Sequence, residues 1–572
     1  MRNINKAFAW LLLFLMCSGE LSQAARPPRR RAPAPKVAAQ PPARITRANL
    51  LQEIEKILNT SGLKNSKFGV SIYSIDKNQF IFQRNSSAPL IPASTTKLFS
   101  SFAALSLLGK DYQVRTQVYT DAKKIRESTL DGNLYIVGKG DCLLNINDVE
   151  VLADQIRNLG IKRITGAIYG DGSFFDGESS RYQYSGDLDE VEHLPHITSL
   201  GLNRNQVTVL VSAGRSGGPV NVQFIPNSTA FEKVNNVTAG GAARKETAAP
   251  SKKAKTKRAQ PKLKPAKKTS KRNRKGIANN VYEYEIDGTY ALATEQMWGD
   301  GNGLTLAARK KRRGRSAGRA LSVTSRKGED GKQYFYISGS VPAGVTRSFV
   351  FDIEDPVLAA AGAFRERLRA GGIHIDGAFG KKSTKDLSGK KALMAEIGKP
   401  IANLIVPLNK NSDNYIAENI FKLVGSTCSD EKSNWVSSRH YLTRMLDSLK
   451  TPFQGCDIND GSGLSRRNRV TSDSEIELLI HAKKSSFYSL FDSSLSIAGV
   501  DGTLRNRMIN SYARGNLHAK TGTHGNVSAL AGYVRTRSGE LLAFSFIFNG
   551  GSVGTYKDIE NRLGALLASI EE

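Results

Sequence analysis

The sequence predicts an α+β protein that folds as several domains. The chain has 572 residues, and chains longer than about 250–300 residues usually split into more than one hydrophobic core. Residues of strand type alternate at Val70–Ser74, and helical patterns occur at Ser94–Leu108 and Pro356–Ala370. Because both kinds of segment occur along the chain, we expect helices and strands to share each core.

The N-terminal segment has the pattern of a cleaved export signal. A positively charged start precedes the apolar run Ala7–Met16, which at about ten residues is too short to span a bilayer. Small residues at the processing positions predict cleavage after Ala24, so residues 1–24 are expected to be a signal peptide and the protein to be periplasmic or bound to the cell envelope. Bulky residues before Cys17 disfavour the alternative, a lipoprotein signal. Residues 25–44 are rich in Pro and Arg and predict an extended tether.

The formal net charge of +30 comes largely from two basic segments. Residues 242–279 consist mostly of Lys, Arg, Ala, Pro, Ser and Thr, and residues 309–319 are mostly Arg and Lys. Neither has enough apolar surface to fold on its own. They are either solvated insertions or docking patches for anionic cell-wall polymers or lipid. Nucleic acid is not an expected partner, because export removes it and the segments have no interleaved aromatic residues.

The cysteines do not predict a metal site. Loss of the signal peptide removes Cys17 and leaves Cys142, Cys428 and Cys456, without a CxxC pair or a Cys/His cluster. In an oxidising compartment Cys428 and Cys456 form either a disulfide or two buried free thiols, and the sequence leaves both open.

Three short motifs occur in one order along the chain. Ser94–Lys97 is an SxxK at the start of a predicted helix, Ser412–Asn414 is an SDN, and Lys520–Gly522 is a KTG. Each motif is common by chance. Together, in this order and local context, they indicate a serine acyl-transfer site of the kind that penicillin attacks.

The spacing of the first motif suits a serine nucleophile and its base. Positions three apart share a helix face, so the Lys97 amine is expected to reach the Ser94 hydroxyl. Lysine acts as a base only when neutral, and burial or a second cation such as Lys520 would lower its pKa.

The other motifs suggest roles in binding. Ser412 is expected to relay a proton, Asn414 to bind a substrate amide, and Asp413 to face inward. The KTG segment reads as an exposed strand edge where an extended peptide can add. A substrate carboxylate is expected on Lys520, Thr521 and Thr523, with Gly522 permitting close approach. Backbone N–H groups of Ser94 and Thr523 would form an oxyanion hole.

On these residues the chain resembles the class C low-molecular-mass penicillin-binding proteins, which are D-alanyl-D-alanine carboxypeptidases and endopeptidases. Two further segments carry the resemblance. Gly138–Leu144 is similar to a family turn, with Cys142 where Pro is usual, and Asp460–Arg466 matches a family segment. The resemblance covers about Asn49–Ile570, apart from the basic insertions.

One family feature is only partly present. In the family, an Asp after a Trp-rich segment acts with the Arg corresponding to Arg466 to bind the side-chain end of the third stem residue. The nearest match is Asp187 in Tyr182–Asp187, with Tyr for Trp and one extra residue. The preference for the third residue therefore stays open.

The resemblance implies a penicilloyl-serine transferase domain, of the β-lactamase/transpeptidase type, in which both chain ends form an antiparallel sheet flanked by helices. It also implies two inserted β-rich domains. The expected bounds are 45–114 with 396–572 for the catalytic domain, 115–141 with 213–395 for one insert, and 142–212 for the other. The long gap between the first two motifs argues against a compact β-lactamase, which is the alternative enzyme. That enzyme would also need a dedicated deacylating carboxylate, and the sequence after the nucleophile helix does not show one. A wall-binding protein with a vestigial site is the alternative without activity.

The implied activity is serine-type D-Ala-D-Ala carboxypeptidase action on peptidoglycan stem peptides through a Ser94 acyl-enzyme, with endopeptidase action left open. The implied partners are these stem peptides and β-lactam antibiotics, which acylate the same serine. The resemblance implies no metal and no organic cofactor.

Overall fold

Two apolar segments near the C-terminus form the centre of an antiparallel sheet. Val527–Arg535 and Leu541–Asn549 are buried along almost their whole length in the computed structural model. Strands buried on both faces read as continuous apolar runs. Side chains of the first segment alternate between two hydrophobic clusters, with Ala529 and Ala531 on one side and Leu530 and Val534 on the other.

The structure describes residues 45–571 apart from 186, 188–191, 243–281, 285–319, 388–390, 430–434 and 450–454. The expected signal peptide and tether lie outside the described residues, as do the basic segments except Ala242.

The helices, in chain order, are α1 Arg47–Leu58, α2 Thr96–Leu108, α3 Ile146–Asn158, α4 Arg181–Ser185, α5 Pro356–Ala370, α6 Ala402–Lys410, α7 Asn414–Cys428, α8 Trp435–Ser448, α9 Ser472–Lys484, α10 Tyr488–Ser494 and α11 Val553–Ala568. The strands are β1 Lys67–Ser74, β2 Gln79–Arg84, β3 Gln113–Thr120, β4 Ile125–Arg126, β5 Thr129–Leu130, β6 Leu134–Gly138, β7 Arg163–Ile164, β8 Ile168–Asp171, β9 Gln206–Ala213, β10 Val220–Ile225, β11 Phe231–Ala242, β12 Tyr282–Tyr284, β13 Ser322–Lys327, β14 Gln333–Ala343, β15 Thr346–Asp352, β16 His374–Ile375, β17 Phe379–Lys381, β18 Ala392–Pro400, β19 Ser496–Ile497, β20 Leu517–His524, β21 Val527–Arg535 and β22 Leu541–Asn549.

The ends of the chain build one antiparallel sheet between helical layers. Its strand order is β19-β20-β21-β22-β1-β2. Helices α2, α6, α7 and α9 pack on one face, and α1 and α11 pack on the other. The predicted arrangement of an antiparallel sheet flanked by helices, formed by both chain ends, is confirmed.

The middle of the chain forms further sheets. Strands β17-β8-β6-β3-β18 form a five-stranded sheet that shares a hydrophobic cluster with α3 and α5, and short strands β16-β7-β5-β4 form another. Strands β10-β9-β15-β12 and β11-β14-β13 form two sheets with a separate cluster.

The strand pairing bears on how these sheets divide into domains. Strand β8 pairs with β6, and β9 pairs with β10 and β15, so strands expected in different inserts share a sheet. The pairing favours a unit of residues 206–352 nested within another insert. The expected bounds 115–141 with 213–395, and 142–212, remain a prediction.

The predicted bounds of one helix are confirmed. Helix α5 has the predicted bounds Pro356–Ala370, because Asp355 caps its start and Gly371 and Gly372 follow its end.

Cys142, Cys428 and Cys456 are free thiols, so the disulfide alternative is not seen. Within the part of the chain that the structure describes, no helix has the length and apolar character needed to cross a membrane.

Candidate active site

Ser94 lies in a tight turn immediately before α2. Residues Ala93–Thr95 form a 3₁₀ turn, and Ala93 has a positive φ of 50°. A non-glycine residue in this region is uncommon and is often found at functional sites. The Thr95 and Thr96 hydroxyls donate to the carbonyls of Pro92 and Ala93 at 3.0 and 2.9 Å, which fixes the turn. The Ser94 side chain is thereby held at the N-terminus of the helix.

The Lys97 amine reaches Ser94 as the helix spacing predicts. Its Nζ lies 2.9 Å from Ser94 Oγ, 2.6 Å from Asn414 Oδ1 and 2.5 Å from the Ser462 carbonyl oxygen. The side chain is fully buried. Nucleophile, amine and SDN asparagine therefore form one connected hydrogen-bonded group.

Burial lowers the pKa of Lys97 to about 8, although Asp460, Glu418, Glu192 and Asp413 act in the opposite direction. Removing an ammonium group from water disfavours its charged form. A neutral amine, which can accept the proton of a serine, is therefore available near neutral pH.

Lys520 lies beside the second motif. Its Nζ donates to Ser412 Oγ at 2.9 Å and to the Thr521 carbonyl at 2.8 Å. Burial, and then the charge of Lys97, hold the pKa of Lys520 well below its ordinary 10.5. Burial is the first cause at both amines, and the repulsion between the two charges, which acts on each of them, comes after it.

The SDN segment is fixed at the start of α7. Asp413 faces inward, where it caps α7 by accepting from the Ile416 N–H at 3.0 Å and pairs with Arg204 at 2.8 Å. Ser412 has a positive φ of 57°. Asn414, the first residue of the helix, then faces Lys97 on one side and Glu192 on the other, with its Nδ2 donating to Glu192 Oε2 at 2.6 Å.

The KTG segment lies on β20 with part of its outer edge open. Strand β19 pairs only with His518 and Ala519, and in the described chain no strand pairs beyond them on that side. A Cβ on Gly522 would lie 2.4 Å from the Pro92 carbonyl oxygen. The glycine therefore lets β20 pass directly against the nucleophile turn, as its role in close approach predicts.

The turn at Ser462 is part of the site, although no motif predicts a role for it. Both carboxylate oxygens of the buried Glu418 accept from the N–H groups of Gly461 and Ser462, at 3.3 and 2.8 Å. Asp460 accepts from the N–H groups of Gly463 and Ser465 at 2.8 and 2.6 Å. These bonds aim the Ser462 carbonyl at Lys97. The segment Asp460–Arg466, which matches a family segment, marked this turn in the sequence. A motif shows side chains, so it could not show that the backbone carbonyl of Ser462 accepts a hydrogen bond.

Asp187 and Arg466 have separate partners in the structure. Asp187 pairs with Arg181 at 2.7 Å, and Arg466 donates to Asn526 Oδ1 at 2.7 Å. The other predicted site residues, Ser94, Lys97, Ser412, Asn414 and Lys520, are linked by the contacts described above. Thr521 and Thr523 follow on the same strand, and Thr521 bonds Thr503 at 2.8 Å.

The arrangement can transfer an acyl group from a substrate to the activated Ser94 hydroxyl. Ser94 has a base within hydrogen-bonding distance, the base has a lowered pKa, and a second hydroxyl lies beside a second amine. In the described residues no group of three or more His, Cys, Asp or Glu side chains is placed to hold a metal ion.

Comparison with known proteins identifies similar chains. The sequence model of the D-Ala-D-Ala carboxypeptidase 3 (S13) family matches residues 50–267 and 277–570. A D-alanyl-D-alanine carboxypeptidase from an Actinomadura species is 26% identical over 542 residues, which cover 92% of this chain and 85% of that protein. The D-alanyl-D-alanine carboxypeptidase DacB of Haemophilus influenzae is 24% identical over 501 residues, covering 87% and 88%.

A solved structure shares the fold. The crystal structure of penicillin binding protein 4 (dacB) from Haemophilus influenzae superposes with a TM-score of 0.61 at 21% sequence identity. The match covers 91% of this chain and 99% of that one. The antiparallel sheet with additional domains is therefore a fold already seen in a penicillin-binding protein.

Proposed function

The chain belongs to the D-Ala-D-Ala carboxypeptidase 3 (S13) family, and from this premise we propose that it cuts D-Ala-D-Ala peptides of peptidoglycan with Ser94 as nucleophile. The observation that carries the proposal is the contact of 2.9 Å between the Ser94 hydroxyl and the buried Lys97 amine. A serine needs such a base to attack a carbonyl carbon at neutral pH.

In the first step, neutral Lys97 takes the proton of Ser94 while Ser94 Oγ attacks the carbonyl carbon of the penultimate D-Ala. The N–H groups of Ser94 and Thr523 stabilise the oxyanion. The C–N bond breaks, and the leaving amine of the last D-Ala receives, through Ser412, the proton that Lys97 took from Ser94, so that Lys97 is neutral again. Ser412 lies 2.9 Å from Lys520. The products are free D-Ala and an acyl ester on Ser94.

In the second step, water replaces the departed D-Ala. Its oxygen attacks the ester carbonyl and its proton passes to the Lys97 amine. Lys97 then gives that proton to the Ser94 oxygen, which leaves as the alcohol. The shortened peptide leaves with a free carboxylate, and the enzyme returns to its starting state.

The terminal carboxylate of the substrate has a site on β20. Lys520, Thr521 and Thr523 offer an amine and two hydroxyls along one strand, and hydrogen bonds to an ionised group are among the strongest in proteins. Asn414 has a second Nδ2 hydrogen available for the substrate amide carbonyl. Because both carboxypeptidase and endopeptidase substrates have a free carboxylate beside the bond that is cut, this site serves either reaction.

The remaining assignments are part of the same proposal. Arg466 and Asp187 bind the side-chain end of the third stem residue, which requires each to exchange its present partner. β-Lactam antibiotics acylate Ser94. The protein is exported after cleavage near Ala24, and residues 242–279 and 309–319, which are rich in Lys and Arg, bind anionic cell-wall polymers.

The release of D-alanine from an acylated peptide that ends in D-Ala-D-Ala tests the proposal. The parent enzyme should release D-alanine, and Ser94→Ala should reduce the rate by several orders of magnitude, as loss of a nucleophile does in serine hydrolases. Ser87→Ala, a change at an exposed serine, is the control and should retain full activity. Equal activity in Ser94→Ala and Ser87→Ala would reject Ser94 as the nucleophile.

A further inference from the structure

We infer that Glu192 is a positioning residue that fixes the side-chain amide of Asn414 and thereby directs the lone pair of Lys97 at Ser94. The inference rests on the proposed function, because it concerns the base of that reaction. Glu192 lies in the segment between α4 and β9, outside the three motifs.

The Lys97 amine is surrounded by three possible hydrogen-bond partners. A neutral amine has two N–H donors and one lone pair. Three oxygens surround Nζ at hydrogen-bonding distance, those of Ser94, Asn414 and the Ser462 carbonyl. A carbonyl oxygen can only accept, so the Ser462 contact takes one N–H of the amine.

The direction of the lone pair then depends on Asn414. If its Oδ1 faces Lys97, it takes the second N–H, and the lone pair is left for the proton of Ser94. If the amide is flipped, its Nδ2 donates to Lys97 and occupies the lone pair. The base would then have no site for the serine proton. The two orientations fill almost the same volume, so packing alone does not choose between them.

Glu192 selects one of the two orientations of the Asn414 amide. Its carboxylate can only accept, and Oε2 lies 2.6 Å from Asn414 Nδ2. With Nδ2 held there, Oδ1 must face Lys97, where it lies 2.6 Å from Nζ. The second hydrogen of Nδ2 remains available for the substrate amide, so positioning and substrate binding do not compete.

The buried Glu418 has a matching function on the other acceptor. It holds the N–H of Ser462 at 2.8 Å, whose carbonyl accepts from Lys97 at 2.5 Å. Two oxygens accept hydrogen bonds from the Lys97 amine. Glu192 orients the one on Asn414, and Glu418 orients the one on Ser462. Glu418 is bonded to backbone, which cannot flip, whereas Glu192 is bonded to an amide, which can.

The test replaces Glu192 with glutamine, which has nearly the same shape but can face Asn414 with either a donor or an acceptor. Acylation by a fluorescent penicillin is measured above pH 8, where most of the Lys97 amine is neutral in both proteins, because Glu192 also raises the pKa of Lys97 and its loss alone would enlarge the neutral fraction. The acylation rate constant of Glu192→Gln should fall about three- to tenfold, less than for a buried hydrogen bond to a charged group, because Glu192 is exposed. With a D-Ala-D-Ala peptide, kcat should fall while KM changes little.

Two further variants separate positioning from a general structural effect. Glu232→Gln changes a glutamate that pairs with Lys332 at 2.7 Å on β11, and it should acylate at the parent rate. In an Asn414→Asp background no amide remains to flip, and the new carboxylate faces Glu192. Adding Glu192→Gln there should cost nothing further, because it only removes the repulsion between two carboxylates.

The outcomes distinguish this inference from the proposed function. A parent enzyme that penicillin does not acylate would overturn the proposed function and the inference together. A parent that is acylated, with Glu192→Gln within about twofold of its rate, would overturn the inference alone. An equal loss from Glu192→Gln with asparagine or aspartate at position 414 would also overturn it.

Discussion

Opposing effects act on the Lys97 amine. Burial disfavours its charged form, while four nearby carboxylates favour that form, and burial prevails because the pKa is lowered to about 8. Desolvation of a buried amine is one of the largest effects on a side-chain pKa. The base of the proposed reaction is therefore tuned by the core that surrounds it.

This tuning sets the pH dependence of acylation. The neutral amine is the active form, so the acylation rate constant should rise with pH through about 8 and then level off. One pH unit below that value only about a tenth of the amine is neutral. Stopped-flow measurement of penicillin acylation between mildly acidic and alkaline pH would show the limb, and a rate independent of pH over this range would contradict the role of Lys97.

Substitution of Glu418 should shift the rising limb of the pH profile of acylation. Its carboxylate is one of the groups that raise the pKa of Lys97, so Glu418→Gln should lower that pKa and shift the rising limb to lower pH. Gln keeps a carbonyl that can accept from the Ser462 N–H. Glu53→Gln, a change at a surface ion pair with Lys56, should leave the limb in place. A limb that moves to higher pH in Glu418→Gln would contradict the electrostatic assignment.

Lys520 should act mainly on the substrate carboxylate and only weakly on Lys97. Because burial is the main cause of the lowered pKa of Lys97, Lys520→Gln should move the rising limb little, and any movement should be to higher pH. Loss of a charge-assisted contact should reduce kcat/KM about ten- to a hundredfold for a peptide with a free terminal carboxylate. Amidation of that carboxylate should slow the parent enzyme and slow the mutant little further. Equal penalties in both proteins would show that Lys520 does not contact the carboxylate.

Some residues of the site could be predicted from sequence and others could not. Ser94, Lys97, Ser412, Asn414 and Lys520 occur in motifs whose spacing reflects local geometry. Glu192 and Glu418 reach the site through the tertiary fold, so no local pattern marks them. Ser462 lies in the matching segment Asp460–Arg466, but the role of its backbone carbonyl cannot be seen from side-chain identity. The disulfide alternative failed for a similar reason, since cysteine spacing does not give the distance between two thiols.

At the level of elements, periodicity located the helices well and their starts less well. The predicted helix from Ser94 begins at Thr96, because Ala93–Thr95 forms a 3₁₀ turn first. Local hydrogen bonds hold that turn, and strand β20, which lies far along the chain, packs directly against it. Predicted helix α5 needed no such contact, since its cap and its terminating glycines are local.

The contact between β20 and the nucleophile turn can be tested by Gly522→Ala. The added Cβ would lie 2.4 Å from the Pro92 carbonyl oxygen and 3.2 Å from the Ser94 nitrogen, so strand and turn must separate. Overpacking of this kind costs about 1–3 kcal/mol of stability, and acylation should slow at least tenfold because the turn holds Ser94.

A matched control for that change is Gly525→Ala. Gly525 follows β20, and a Cβ there meets nothing within 4 Å. Thermal unfolding and penicillin acylation of both variants provide the readout. Full acylation activity in Gly522→Ala would show that this close approach does not position Ser94.

For the whole molecule, the catalytic sheet could be predicted and the division of the inserts could not. The catalytic sheet follows from three motifs and a family resemblance. The inserted strands are short and pair across long sequence separations, as β6 pairs with β8 and β3 pairs with β18. Pairing partners at that distance are set by the packed structure rather than by local pattern.

The basic segments should be separable from catalysis. Deleting about residues 244–275 removes a run rich in Lys and Arg, whose composition cannot form part of a packed site. We expect unchanged kcat on a small D-Ala-D-Ala peptide and weaker, more salt-sensitive binding to isolated cell-wall sacculi. A large fall in kcat would contradict this separation, and unchanged binding to sacculi would leave the segments as solvated insertions.

The most direct test of the central claim is the mass of the protein after brief exposure to penicillin, followed by peptide mapping. We expect each molecule to gain the mass of one penicillin, attached to Ser94 and released slowly, since the glutamates beside Lys97 already accept hydrogen bonds, Glu192 from Asn414 and Glu418 from the turn at Ser462, and are not placed to activate water. Ser94→Ala should gain nothing. A penicillin adduct on another residue, or rapid turnover of penicillin without a stable adduct, would contradict the account.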